Sequence, residues 1–350
     1  MKAIWYFLWK CFLKTSLFFY SKKIKVNGLK NIPTKGAILF MANHPNGLID
    51  PLFITTNNPR TNHFLVRAAV FKKPLIKKFL STLNLMPIYR IRDGIKELEK
   101  NKAIFNDCFE IFKREETLLI FPEGSHNSRR TIRPLSKGFT RIVFGALEKY
   151  PDLKITIIPV GITYQNTTNY PSKVAINYGE PILANSFLEK DELTTAIIKI
   201  KNSVSAQLKK LTVHIANDED YAYKLELLNK GQVDFTEVDK INKLLENKEL
   251  PTAKEVNKNK FQLLYFILIL NNLIPFLIWK QVSKKIDELE FIDTFRFAVS
   301  AICVPIFLGL QTGLISYFYG AKIAFCYTIL SLSIILAYTK LAPTNTKSNS

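Results

Sequence analysis

The stretch FMANHPNGLIDPLFI, Phe40 to Ile54, reads as a buried strand that runs into a turn and then a helix. The apolar run AILFMA brings the chain up, and Pro45, Asn46 and Gly47 carry turn chemistry. Asn46 is the expected cap of a helix beginning near Leu48. His44 and Asp50 stand on either side of the turn. Six steps along one helix would rotate a side chain by roughly 240°, so helical periodicity cannot bring the two together. A turn can. Asp50 would then accept from one ring nitrogen of His44 and leave the other free to take a proton. The spacing therefore makes His44 a candidate general base and Asp50 the carboxylate that orients it.

Outward from this stretch, strand-like runs alternate with charged helical ones. ETLLIFPEG, KITIIPVGITY and KVAINYGEPI read as further strands; GIKELEKNKAIFNDCFEIFKREE and LSKGFTRIVFGALEKYP read as helices. A long amphipathic helix within EPILANSFLEKDELTTAIIKIKNSVSAQLKKL is expected to close the unit. Alternation of this kind predicts an α/β domain over residues 21–211, with a central, mostly parallel sheet flanked by helices. Open α/β sheets bind ligands at the carboxyl ends of their strands, so His44 and the pair Glu123–Gly124 should share one rim. Glycine permits close backbone approach to a ligand, and Glu123 offers an acceptor for substrate hydroxyls. Arg129, Arg130 and Arg133 crowd the following turn, and Arg90 and Arg92 end the short run MPIYRIRDG. Guanidinium groups match phosphate geometry bidentately.

The flanks point to lipid. The 350-residue chain carries 49 Lys+Arg against 29 Asp+Glu, a formal +20, yet is 47% hydrophobic. Such a balance suits an anionic membrane surface, and no zinc-finger, RNA-binding-strand or helix-turn-helix pattern supports a nucleic-acid partner. Cys11, Cys108, Cys303 and Cys326 are scattered singly, so neither a disulfide framework nor a metal site is implied. Residues 1–20 are rich in Trp, Phe and Tyr, with Lys10 and Lys14 one turn apart. They read as an interfacial helix with its lysines raised toward phosphates; a buried N-terminal helix of a soluble core is the plainer alternative. Residues 212–260 form a charged linker whose spaced leucines suit solvated or loosely packed helices. Residues 261–339 read as a membrane domain of about three helices, near 261–279, 297–319 and 322–339, before a polar tail at 340–350. Two long spans, or one span with a re-entrant pair, are the alternatives. Lys254, Lys258 and Lys260 favour a cytoplasmic catalytic domain, but Lys280, Lys284, Lys285 and Arg296 in the next loop leave the positive-inside rule undecided.

Four blocks in order, NHPNGLID, PIYRIR, IFPEGSHN and IIPVGI, resemble the motifs of the glycerolipid (lysophosphatidic acid-type) acyltransferase family over about Lys25–Leu211. That resemblance implies a membrane-bound enzyme that moves a fatty acyl group from an acyl-CoA or acyl carrier protein thioester to a hydroxyl of lysophosphatidate. Glycerol 3-phosphate, dihydroxyacetone phosphate or another lysolipid is the alternative acceptor. His44 and Asp50 would be catalytic; Arg90, Arg92, Glu123, Gly124, Ser125, Arg129 and Arg130 would bind substrate, with no metal and no cofactor beyond the thioester. Oxyanion donors are expected among backbone amides of the PNG turn or the Gly124 loop. Two departures stand out. Five residues separate His44 from Asp50 where the family usually has four, and Ser125 and His126 replace the usual Thr and Arg of the third block.

The plainer readings are structural. A lone histidine beside an apolar run usually serves packing, and His63, His126 and His214 lack the setting of His44, although His126 is close to Glu123 in sequence. Lys137 reads as a surface lysine. A noncatalytic lipid-binding protein could keep the same fold and basic face, but the intact His–Asp–Glu set argues against it. The absence of G-x-S-x-G near EGSHN argues against a serine hydrolase.

Overall fold

The computed structural model describes residues 2–90, 94, 96, 99–189, 191–249, 251–253 and 260–344. Among them, β1 (Lys23–Asn27), β2 (Ala37–Ala42), β3 (Asn62–Arg67), β4 (Leu85–Ile88), β5 (Thr117–Ile120), β6 (Ile155–Tyr164), β7 (Lys173–Tyr178) and β8 (Ile182–Leu183) join in one sheet. Its order is β1-β7-β6-β2-β5-β3-β4, with β8 alongside β6. Every pairing is parallel except those of β6 with β7 and β8. The mostly parallel α/β sheet expected from the alternation is what the chain forms.

β2 lies near the middle and is buried at all six positions, as befits a parallel strand covered on both faces. Its side chains divide with period two. Ala37, Leu39 and Met41 enter a core with Cys108, Phe112 and Phe139. Ile38, Phe40 and Ala42 enter another with Leu17, Ile49, Phe53 and Phe297. Helices α1 (Lys2–Tyr20) and α2 (Ile49–Thr56) cover the second face; α3 (Pro74–Thr82) lies at the surface; α4 (Asn101–Lys113) and α5 (Gly138–Lys149) cover the first. The closing segment contains the long amphipathic helix expected, over its second half. It begins with β8 and the one-turn α6 (Asn185–Leu188), and only then runs as α7 (Leu193–Leu211). The Ile155 amide donates to the Asn185 side chain, 3.1 Å, so residues before α7 are held to the sheet instead of continuing a helix.

Beyond α7, helices α8 (Tyr221–Lys230) and α9 (Val238–Glu246) share a small core of their own around Leu228, Phe235 and Ile241. They are docked, not loose: the Gln165 side chain donates to the Val233 carbonyl (2.8 Å) and accepts from the Phe235 amide (2.9 Å). In α1, Lys10 departs from its expected orientation. Its ammonium donates inward to the carbonyls of Asn58 (2.7 Å) and Arg60 (3.1 Å) in the loop after α2.

The apolar third contains α10 (Gln262–Asn271), α11 (Leu273–Ser283), α12 (Ile292–Tyr319) and α13 (Ala321–Leu341). Among the described residues, Leu289–Tyr319 and Ala321–Leu341 are long and apolar enough to cross a membrane. The helix expected over 261–279 is instead the pair α10 and α11, bent by 97°. Pro275 is the cause: it has no N–H for the carbonyl of Asn271, four residues back. That carbonyl accepts from Gln311 Nε2 of α12 at 3.2 Å, which keeps the freed acceptor satisfied away from water. The far end of α13 returns to the α/β unit. Lys340 Nζ donates to Phe18 O (2.6 Å) and Ser21 O (2.7 Å), and Lys22 Nζ to Ala342 O (2.5 Å).

Candidate active site

His44 leaves the carboxyl end of β2 and Asp50 sits in the first turn of α2. The intervening turn brings His44 Nδ1 within 2.8 Å of Asp50 Oδ2. The turn thus brings the two side chains together, though without the cap expected. α2 starts at Ile49, its N-cap is Leu48, and no side chain caps it. Asn46 contributes through its backbone, donating N–H to Asp50 Oδ2 at 2.8 Å. Tyr164, at the end of the adjacent β6, donates its hydroxyl to Asp50 Oδ1 at 2.7 Å. The carboxylate is fully buried, while 15% of the His44 side chain remains exposed. With Asp50 ionised, Nδ1 carries the shared proton and Nε2 keeps its lone pair.

Burial pushes the Asp50 carboxyl up from the ordinary carboxylate range, and hydrogen bonds from His44, Tyr164 and the Asn46 amide pull it back. Tyr164→Phe removes one of these counterweights. The Asp50 titration then rises further; since the ionised form is needed to hold His44, activity is lost from a higher pH downward. A hydrogen bond to the ionised form favours that form, so without it the acid limb of the rate profile should move to higher pH. A superimposable pH profile for Tyr164→Phe would contradict this role.

Phe121 and Glu123–Gly124 follow β5, the parallel neighbour of β2, and share its rim. The Phe121 ring stacks on His44, centroids 4.0 Å apart, and the Asn127 amide donates to His44 O at 2.9 Å. Glu123 is ion-paired with Arg133 (Nε–Oε2, 2.6 Å). Arg133 Nη1 also donates to Ser125 Oγ at 2.8 Å, and its Nη2 to the Ser125 carbonyl. Burial raises the Glu123 carboxyl, and Arg133 opposes the rise. Gly124 adopts φ +75°, where a side chain would be strained, and the space a Cβ would occupy is open.

The remaining arginines are dispersed. Arg130 Nη2 donates to the carbonyls of Tyr164 (3.0 Å) and Gln165 (3.1 Å), and its guanidinium lies 3.6 Å from the Phe235 centroid. Burial lowers its pKa to about 10, so it stays cationic at neutral pH. Arg129 lies over Tyr221 at 4.1 Å. A cleft lined by His44, Glu123, Asn127, Arg129 and Arg130 opens between the rim and this arginine loop. Arg90 follows β4, three strand positions from β2. At ~4.8 Å per strand that is roughly 14 Å along the same rim. Arg92 lies outside the described residues. Of the expected oxyanion donors, the Asn46 amide is engaged by Asp50 and the Gly124 amide by Phe121 O at 3.1 Å.

The other histidines separate by position. His63 pairs with Glu116 (3.0 Å) near the amino ends of β3 and β5, the edge opposite His44. His214 Nδ1 accepts from the Ile132 amide at 3.1 Å. His126 does have a setting: its Nε2 lies 2.7 Å from Glu288 Oε2, and its ring stands edge-on to His44 with centroids 5.8 Å apart. Lys137 is exposed just before α5. Sequence reasoning passed over Tyr164, although it ends IIPVGITY and any strand beside β2 delivers its last residue to this rim. It also counted Arg296 only as a loop charge.

The similarities to known proteins fall on this mostly parallel sheet and its carboxyl rim. Residues 23–163 match the family model described as Acyltransferase. Glycerol-3-phosphate O-acyltransferase 1 of Saccharomyces cerevisiae is 25% identical over 122 residues, 33% of this chain and 16% of that protein. The 1-acyl-sn-glycerol-3-phosphate acyltransferase of Borreliella burgdorferi is 24% identical over 196 residues, 53% of this chain and 72% of that protein. The crystal structure of the Thermotoga maritima 1-acyl-sn-glycerophosphate acyltransferase PlsC aligns with 20% identity and a TM-score of 0.38, covering 53% of this chain and 72% of that one. The match to the acyltransferase family model thus falls on the α/β domain and covers less than half of the chain.

Proposed function

We propose that the chain is a membrane-bound glycerolipid acyltransferase that esterifies a hydroxyl of lysophosphatidate with an acyl group from acyl-CoA or acyl carrier protein. The observation that carries this is the His44 Nδ1–Asp50 Oδ2 contact of 2.8 Å at the strand rim, inside the family-matched residues. His44 Nε2 takes the acceptor's hydroxyl proton as its oxygen attacks the thioester carbon. The tetrahedral intermediate then expels the sulfur, which leaves as a thiol with the proton from His44. A positioned base of this kind contributes about 10²–10⁴ in rate.

The acceptor's phosphate would lie on the guanidinium side of the cleft, with Arg129 and Arg130 nearest His44 and Arg90 farther along the rim. Glu123, Gly124 and Ser125 would meet the glycerol part, Arg133 holding the first and last in place. Exposed Ile4, Phe7 and Leu8 of α1 and Leu75, Ile76 and Phe79 of α3 would face lipid, with Lys72, Lys73, Lys77 and Lys78 near anionic head groups. Residues 289–341 would cross the bilayer from a cytoplasmic catalytic domain.

Glycerol 3-phosphate is the second reading. It is favoured by the yeast relatives, which are named for that acceptor. Offering each acceptor with radiolabelled acyl donor to membranes containing the full chain decides between them. Lysophosphatidate should accept at least tenfold faster. Faster labelling of glycerol 3-phosphate would reverse the assignment, and labelling of neither would end the reading.

A further inference from the structure

The segment where the chain enters α12 lies directly on the His44–Asp50 turn. A Cβ on Gly47 would come within 2.8 Å of Thr294 Oγ1, 2.9 Å of Glu290 O and 3.0 Å of Phe291 Cδ1. Thr294 Oγ1 also accepts from the Ile49 amide, 3.3 Å, at the start of α2. Asn46 turns its side chain toward α12, donating from Nδ2 to Asp293 Oδ2 at 3.2 Å. Asp293 is buried and accepts further from Tyr20 and from Arg296 (3.1 Å). Arg296 is tied in turn to Tyr20 Oη (3.0 Å) and the Thr168 carbonyl (2.5 Å). A relay of contacts thus runs from Asp293 through Asn46 to Asp50 and His44.

Its physical content is stiffness. A buried carboxylate is tolerable only when paired, and Arg296 supplies the pair. The paired carboxylate anchors the Asn46 side chain, and the Asn46 backbone amide is one of the donors that orient Asp50. Charged residues inside an otherwise apolar segment are costly, which is why a partnered one signals a role.

We infer that Asp293, held by Arg296, is a positioning residue for His44 and Asp50, so that the membrane segment completes a site whose other parts lie within the α/β domain. The inference rests on the acyl-transfer reading for its kinetic consequences but not for its geometry.

Removing one member of a buried pair strands the other, whereas replacing both with apolar residues is far milder. The test is therefore a cycle in the full-length chain between Asn46→Ala and the paired change Asp293→Leu/Arg296→Met. Each arm should lower kcat about 10- to 100-fold, as sub-ångström misplacement of reacting groups does, with KM changed less than about threefold. Together they should be no worse than the stronger arm alone. Thr312→Ala, which breaks a 2.8 Å contact with Thr328 far along α12, should leave kcat at the wild-type value. Additive losses, or a paired variant at wild-type kcat, would overturn the inference. If the paired variant does not fold, Thr294→Val takes its place, with lowered kcat supporting and unchanged kcat refuting. The downfield proton signal of the His44 Nδ1–H in isotope-labelled protein gives a readout that needs no substrate. It should weaken or shift in the variants and stay unmoved in Thr312→Ala. An unmoved signal in the paired variant refutes the inference, whereas a wild type that transfers no acyl group ends only the functional reading.

Discussion

His44→Ala is expected to lower the rate of acyl transfer by about 10²–10⁴-fold, the range a positioned general base supplies. The geometry says where the loss should fall. Only an edge of the imidazole reaches the cleft, and its other nitrogen is 2.8 Å from a carboxylate with no exposure. The ring is therefore held for proton transfer more than for binding, and the loss should appear in kcat with KM little changed. Asp50→Asn should produce a loss of similar order for a different reason. An amide beside Nδ1 can present N–H instead of an acceptor, which favours the tautomer with Nε2 protonated and therefore unable to take the substrate proton. Initial rates with radiolabelled donor, on membranes carrying equal amounts of each variant, measure both. Undiminished transfer by His44→Ala would end the mechanism.

Gly161→Ala should lower the stability of the α/β unit markedly. Gly161 lies in β6, within the IIPVGI block, where β6 passes under the end of α7. A Cβ there would sit 2.2 Å from the Leu211 carbonyl oxygen and 2.5 Å from its carbon. These are backbone atoms, and the Asn177 side chain holds the same carbonyl at 2.8 Å, so α7 or β6 must shift bodily. Overpacking costs about 1–3 kcal/mol and occasionally more; for a unit of this size each kcal/mol lowers Tm by about 2–4 °C. A fall of roughly 5 °C or more is expected. Gly145→Ala is the contrast, because its Cβ meets only the tip of the Phe109 ring, 2.7 Å away, which can turn aside. Thermal unfolding should rank the two in that order; equal melting temperatures would refute the argument.

What could be read in the residue order follows from how far each interaction reaches. β2, β5, β6 and β7 announce themselves as apolar runs because a strand buried on both faces has almost no polar positions. KIKVN and NHFLVR do not, since β1 is an edge strand and the amino end of β3 carries polar residues. His44 and Asp50 were legible because one turn joins them. The sequence placed three arginines near Glu123 but had no means of choosing Arg133 as its partner, a choice made by side-chain geometry around the Ser125 loop. Tyr164 is 114 residues from Asp50, and Asp293 is 247 from Asn46. No periodicity or motif links residues so distant; only strand order and the docking of α12 do.

The lysine contacts at the end of α13 carry a consequence of parity. Asp293 near the start of α12 and Lys340 near the end of α13 both touch the α/β unit. If these two helices span a bilayer, a hairpin whose two ends meet the same body would cross it an even number of times, with Gly320 at the far side. If the preceding apolar pair, bent by 97° near Asn272, enters and leaves on one side, it would not alter that count. Lys280, Lys284 and Lys285 would then fall on the same shore as the sheet, and the conflict that an odd number of passages would create between those lysines and the domain's own positive charge would not arise.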